Sequence, residues 1–127
     1  MSDFATRQKE FGLVSLEETR TALRNPETIV LDIRRPDEIQ ADGTLEKRHH
    51  PNWHNVVVSL DDASALKACA PTTLPNKNDT IFIYCRSGRR ATHAVETLHE
   101  LGYTNVMNGG GWSDVQAAMT GMRTSSQ

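Results

Sequence analysis

The 127-residue sequence is short of cysteine, of long apolar runs and of any excess of charge. Its two cysteines, Cys69 and Cys85, form no CxxC pair and no metal-ligand spacing, which excludes a disulfide scaffold and a cysteine-rich metal cluster. Each must be read alone. No apolar stretch approaches the roughly 18 residues of a spanning helix, and Met1 to Arg7 holds no hydrophobic signal core, so a soluble, cytoplasmic chain without a membrane partner is expected. With 14 Lys+Arg against 16 Asp+Glu, the net charge of −2 gives no global field that would draw nucleic acid. An anion site must therefore be built locally.

What is present is enough hydrophobic content, 37%, for one core, so a single domain over 1–127 is expected. Ser15-Leu16-Glu17-Glu18 fits a capping box opening a helix to about Arg24, and Thr28 to Ile33 is a β-branched run suited to a strand buried on both faces. Between Pro36 and Asn55 the periodicity is lost, with one short helix near Asp37 to Ala41. Asn55 to Val58 reads as a strand, Ser59 to Ala70 as a helix, and Pro71 to Asp79 as a loop. Thr80 to Tyr84 repeats the buried-strand pattern. It runs into Cys85 and then a helical spacing of Ala94, Val95, Leu98 and Leu101, closed by Gly102. Thr104 to Met107 reads as a last strand, Gly109 to Gly111 as a turn, and Ser113 with Gln116 as a capping box for a final helix. Strands alternating with helices predict an α/β fold with a mainly parallel sheet. In such sheets ligands bind beyond the carboxyl ends of the strands, where both Asp32 and Cys85 stand.

Cys85 is followed by Arg86-Ser87-Gly88-Arg89-Arg90. The loop amides can converge on the sulfur, the next helix points its positive end at it, and three arginines lie within five positions. Each of these favours thiolate over thiol. Gly88 supplies a left-handed turn or a close approach. The same donors could hold an anion transferred to the sulfur.

With Leu31-Asp32-Ile33-Arg34 and Glu38, the C-x-x-G-x-R loop from Cys85 to Arg90, Gly102-Tyr103, Val106 and Gly109-Gly110, the chain resembles the rhodanese family of small sulfurtransferases. The resemblance spans about residues 11–120. It implies a five-stranded parallel sheet with helices on both faces, and a double displacement in which Cys85 takes a sulfane sulfur from thiosulfate or another donor. A small-molecule acceptor such as cyanide or a thiol, or a protein thiol such as a thioredoxin-like reductant, then removes it. No cofactor or metal is called for. Cysteine-dependent phosphatases and arsenate reductases, the chemical alternative, set an arginine seven positions into a longer loop. Here that position is Ala91, and the arginine falls sixth, at Arg90. A persulfide relay or protein-docking module stays open beside the turnover enzyme.

The resemblance implies that Cys85 is catalytic, that Arg86, Ser87, Gly88, Arg89 and Arg90 form the substrate-binding loop, and that Arg90 closes it through internal hydrogen bonds. Asp32, Arg34 and Glu38 are supporting candidates. Asp32 braces nearby groups or caps a turn, and Arg34 could pair with Glu38 along the pocket wall. The family's stretch after the acid strand is eroded here to Arg48 through Val57. His49, His50 and His54 invite a metal, but no fourth ligand stands at sensible spacing and Pro51 breaks any helical register. His50 or His54 as a proton donor stays open. Trp112 reads as a packing residue, displaced from the family's usual position, which Asp114 occupies. Cys69, among Leu66, Ala68 and Ala70, reads as a core residue, with a resolving thiol as its alternative.

Overall fold

A computed structural model describes residues 3–45 and 50–125. Among them four strands, β1 (Ile29–Asp32), β2 (Trp53–Asn55), β3 (Ile81–Cys85) and β4 (Val106–Gly111), form one parallel sheet in the order β2-β1-β3-β4. The helices are α1 (Phe4–Phe11), α2 (Leu16–Arg24), α3 (Pro36–Asp42), α4 (Ser64–Thr73), α5 (Arg89–Glu100) and α6 (Trp112–Ser125).

The period of two along each buried strand divides the core between the two sheet faces. Ile29, Leu31 and Ile33 join Ile81, Ile83 and Cys85 in a cluster with Leu66 and Ala70 of α4 and Ala91, Ala94 and Leu98 of α5. Val30, Phe82 and Tyr84 face the other way, against Ala22 and Leu23 of α2 and Val115 of α6. Helices therefore cover both faces, as expected. Each fully buried Ile or Leu contributes roughly 2 kcal/mol.

The fifth strand expected from the resemblance is absent among the described residues. Its remnant is a single parallel bridge of Leu13 to Asn108, with the Val14 amide donating to the Asn108 carbonyl at 2.9 Å. Gly12 ends α1 in a left-handed conformation (φ 71°) and Ser15 caps α2 through the expected capping box, leaving only Leu13 and Val14 extended between them. The strand expected at 55–58 lies earlier, at Trp53–Asn55, and of Val56 to Val58 only Val58 is fully buried. Ser59 to Asp62 forms a turn rather than the start of a helix, and α4 begins at Ser64, whose amide and hydroxyl both donate to Asp62. Pro71 sits inside α4 instead of ending it, because the Leu74 amide still reaches the Ala70 carbonyl. Gly109 to Gly111, read as a turn, belongs to β4. Helix α1 was not expected, although Asp3 at its N-cap and Gly12 at its end are ordinary helix boundaries.

Candidate active site

Cys85 closes β3 with its side chain on the α4/α5 face, 1% exposed. After it the chain turns within three residues into α5. Gly88 is the N-cap at φ 104°, a conformation that disfavours a side chain, and an added Cβ there would also press on Leu13. This turn brings the Gly88 amide to 3.1 Å from the Cys85 sulfur, to which it donates.

The loop rests on β4. Ile83 pairs with Asn108 and Cys85 with Gly111, so two β4 residues, Gly109 and Gly110, stand opposite Tyr84 in a bulge. Gly111 lies directly under the loop, where a Cβ would overlap the Arg86 carbonyl. The buried Asn108 donates to the Gly88 carbonyl at 2.9 Å and accepts from the Gly110 amide at 2.9 Å. The three glycines and Asn108 thus form the support of the cysteine loop.

Arg90 turns inward. Its two terminal nitrogens donate to the two oxygens of Glu38 at 2.8 Å each, and Glu38 also accepts the Arg35 amide at 2.9 Å. The Arg90 guanidinium, with the Arg35 amide assisting, holds the Glu38 carboxyl well down, to about 2 against an ordinary 4.5. These side-chain bonds tie the start of α5 to α3 rather than to the atoms of the cysteine loop itself. Arg86 and Arg89 point the other way. Both are exposed, and their side chains make no hydrogen bond or ion pair among the described residues. With Arg7, Phe11, Ser59, Leu60, Ser87, Arg90 and Ser113 they line an open cleft of about 820 Å³ at the carboxyl edge of the sheet.

Asp32 and Arg34 form a different structure. Arg34 pairs with Asp32 (2.9 and 2.7 Å), not with Glu38, and both are buried. Asp32 also accepts the Thr44 hydroxyl at 2.8 Å, Arg34 donates to the Gly43 carbonyl at 2.7 Å, and the guanidinium lies against the rings of Tyr84 and Trp112. Because Asp32 registers with Tyr84, this cluster occupies the sheet face opposite Cys85 and braces the start of the 43–45 segment. Neither residue lines the cleft. Trp112 packs as expected, stacking on Tyr84 and donating to the Asp42 carbonyl.

His50 is buried before β2, bonded to the Asn25 carbonyl and the Asn52 amide at the amino end of the sheet, away from Cys85, and burial lowers its pKa. His54 lies on β2, beside Leu31, and His49 falls outside the described residues. Cys69 packs against the core on α4, its thiol 3.5 Å from the Leu66 carbonyl, and both cysteines are free. The capping of α6 also differs from expectation. Asp114, not Ser113 with Gln116, supplies it by accepting the Gly111 amide at 2.7 Å. Arg7, Asn108 and Asp114 were the site residues that sequence reasoning missed. A glycine followed three residues later by aspartate was the available signal for Asp114.

A family model described as a rhodanese-like domain matches residues 15–118. The chain belongs to this family. It is 34% identical over 85 residues to the thiosulfate sulfurtransferase PspE of Escherichia coli K12, covering 67% of this chain and 71% of that one. A solved structure titled as a rhodanese with anions from E. coli superposes with a TM-score of 0.54 at 33% identity, covering 68% of this chain and 89% of that chain. The homodimeric polysulfide-sulfur transferase of Wolinella succinogenes, at 21% identity, shares the fold with a TM-score of 0.62 over 87% of this chain and 81% of its own. Rhodanese membership places the C-x-x-G-x-R loop within a family that includes sulfurtransferases.

Proposed function

We propose that the protein is a sulfurtransferase that carries a sulfane sulfur as a persulfide on Cys85. The observation that carries this reading is the Gly88 amide donating to the buried Cys85 sulfur, in a loop whose Arg86, Ser87, Arg89 and Arg90 line the open cleft. In the first half-reaction the Cys85 thiolate attacks the outer sulfur of thiosulfate. A sulfur–sulfur bond forms to Cys85, the bond to the sulfonate sulfur breaks, and sulfite leaves with the electron pair. In the second, cyanide or a thiolate attacks the outer persulfide sulfur, and Cys85 returns as thiolate. Arg86 and Arg89 attract the dianionic donor, and the loop amides hold the charge on the terminal sulfur.

The position of Arg90 supports sulfur over phosphoryl transfer. A phosphatase needs its loop arginine on the substrate oxygens, whereas both terminal nitrogens of Arg90 are committed to Glu38. The cleft is far larger than thiosulfate, and Leu60 on its wall is 49% exposed, which favours a second reading of the acceptor as a protein thiol, such as a thioredoxin-like reductant. A cytoplasmic setting, where thiol reductants abound, fits both readings.

Thiosulfate:cyanide turnover that vanishes in Cys85→Ser is the expected result. Full turnover in that variant would overturn the mechanism. If the wild type turns over no cyanide yet passes a persulfide from a protein donor, the relay reading replaces the enzyme. Cys85-dependent hydrolysis of an aryl phosphate would favour the phosphatase class instead.

A further inference from the structure

Helix α1 lies ahead of the residues matched to the family, yet it reaches the cysteine loop. Arg7 donates from Nη1 to the Ser87 carbonyl at 2.9 Å, and its two terminal nitrogens grip the two oxygens of Asp114 at 2.7 and 2.9 Å. Asp114 in turn accepts the Gly111 amide, in the residue that supports the loop. The Phe11 carbonyl, at the end of the same helix, accepts from Thr92 and Asn108, so α1 is fastened at its middle and at its C-terminal end.

One peptide unit makes the Arg7 contact consequential. The carbonyl of Ser87 and the amide of Gly88 belong to the same planar group, and that amide is the one that donates to the Cys85 sulfur. Holding the carbonyl end fixes the direction of the N–H end. A cationic donor on the carbonyl also polarises the unit, strengthening the bond that its N–H makes. We propose that Arg7 is a positioning residue that acts through the Ser87–Gly88 peptide to hold the Gly88 amide on the Cys85 sulfur and so sets the reactivity of that sulfur. The proposal deepens the sulfur-transfer reading and rests on Cys85 as the reacting group.

The charged groups around the loop are Arg7 from α1, Glu38 from α3, Arg86, Arg89 and Arg90 from the loop and α5, and Asp114 from α6. Of these arginines, Arg7 and Arg90 are each held in place by a carboxylate. Arg7 thus adds a fixed positive charge as well as a fixed amide, while Asp114 keeps the guanidinium from swinging into the cleft.

The test is the rate of Cys85 alkylation by iodoacetamide across pH, in a Cys69→Ser background, with thiosulfate kinetics alongside. Arg7→Met is expected to slow alkylation at neutral pH by about tenfold, to move the profile toward alkaline pH, and to lower kcat by a similar factor with KM little changed. Arg7→Lys, which keeps the charge and one donor, should recover most of the profile. Where Arg7→Met does not fold, Arg7→Gln takes its place with the same expectation. A neutral variant that melts earlier but alkylates with the wild-type profile would show a purely structural contact and overturn the proposal. If the wild type moves no sulfur at all, the sulfur-transfer reading fails, while the alkylation profile still decides the role of Arg7.

Discussion

The floor and the rim of the cleft use the same residue type in opposite states. On the floor, Arg90 and Arg7 are each clamped by a carboxylate, Glu38 and Asp114, and Asn108 and Gly111 fix the loop backbone from below. On the rim, Arg86 and Arg89 are exposed and carry no partner among the described residues. Four arginines within reach of one cysteine loop therefore divide into two that build it and two that can meet a ligand. A paired arginine holds its charge in one place and immobilises what it touches. An unpaired one offers charge without order. Damage to the floor should appear in kcat and stability, and damage to the rim in KM.

Removing the nucleophile is the largest perturbation: Cys85→Ser should abolish sulfur transfer while leaving the thermal melting curve close to wild type. Gly111→Ala comes next. The added methyl meets the Arg86 carbonyl, so the loop must lift from β4. We expect destabilisation of about 1 to 3 kcal/mol, read from urea denaturation, and kcat lowered by about tenfold or more.

Breaking the Glu38 clamp has a pH signature. In the folded protein Glu38 titrates near 2 instead of 4.5, so the clamp is fully present above about 4.5 and is lost as pH falls from there toward 2. Its contribution is at most about 3 kcal/mol. Urea denaturation at stepped pH should show Glu38→Gln less stable than wild type near neutrality, with the two converging at the acid end of that window. The smallest effects belong to the rim. Arg86→Ala and Arg89→Ala should each raise the KM for thiosulfate a few-fold, with kcat and melting temperature unchanged. A large kcat loss in either would erase the distinction between floor and rim.

Much of this was legible in the sequence because it depends on local pattern. The β-branched run ending in Cys85, the following glycine and the helical spacing from Ala94 to Leu101 placed the sulfur at a strand end before a helix N-terminus. Non-local pairing was not legible. Arg34 has carboxylates two and four residues away, and only the fold, by setting Asp32 on the Tyr84 face and Glu38 beside Arg90, decides which one it meets. Gly109 to Gly111 reads locally as a turn, because glycine clusters mark turns, whereas the closeness of the Phe82 ring and the loop backbone is what requires the missing side chains. Arg7 is separated by 80 residues from the Ser87 carbonyl that it holds, a distance that no spacing rule spans.

The central claim, that Cys85 carries the sulfur, is tested most directly by intact mass after incubation with thiosulfate and removal of the excess. One added sulfur, released by dithiothreitol, present in wild type and Cys69→Ser and missing from Cys85→Ser, is the predicted result. A sulfur adduct that persists in Cys85→Ser, or no adduct in the wild type with any sulfane donor, would contradict it.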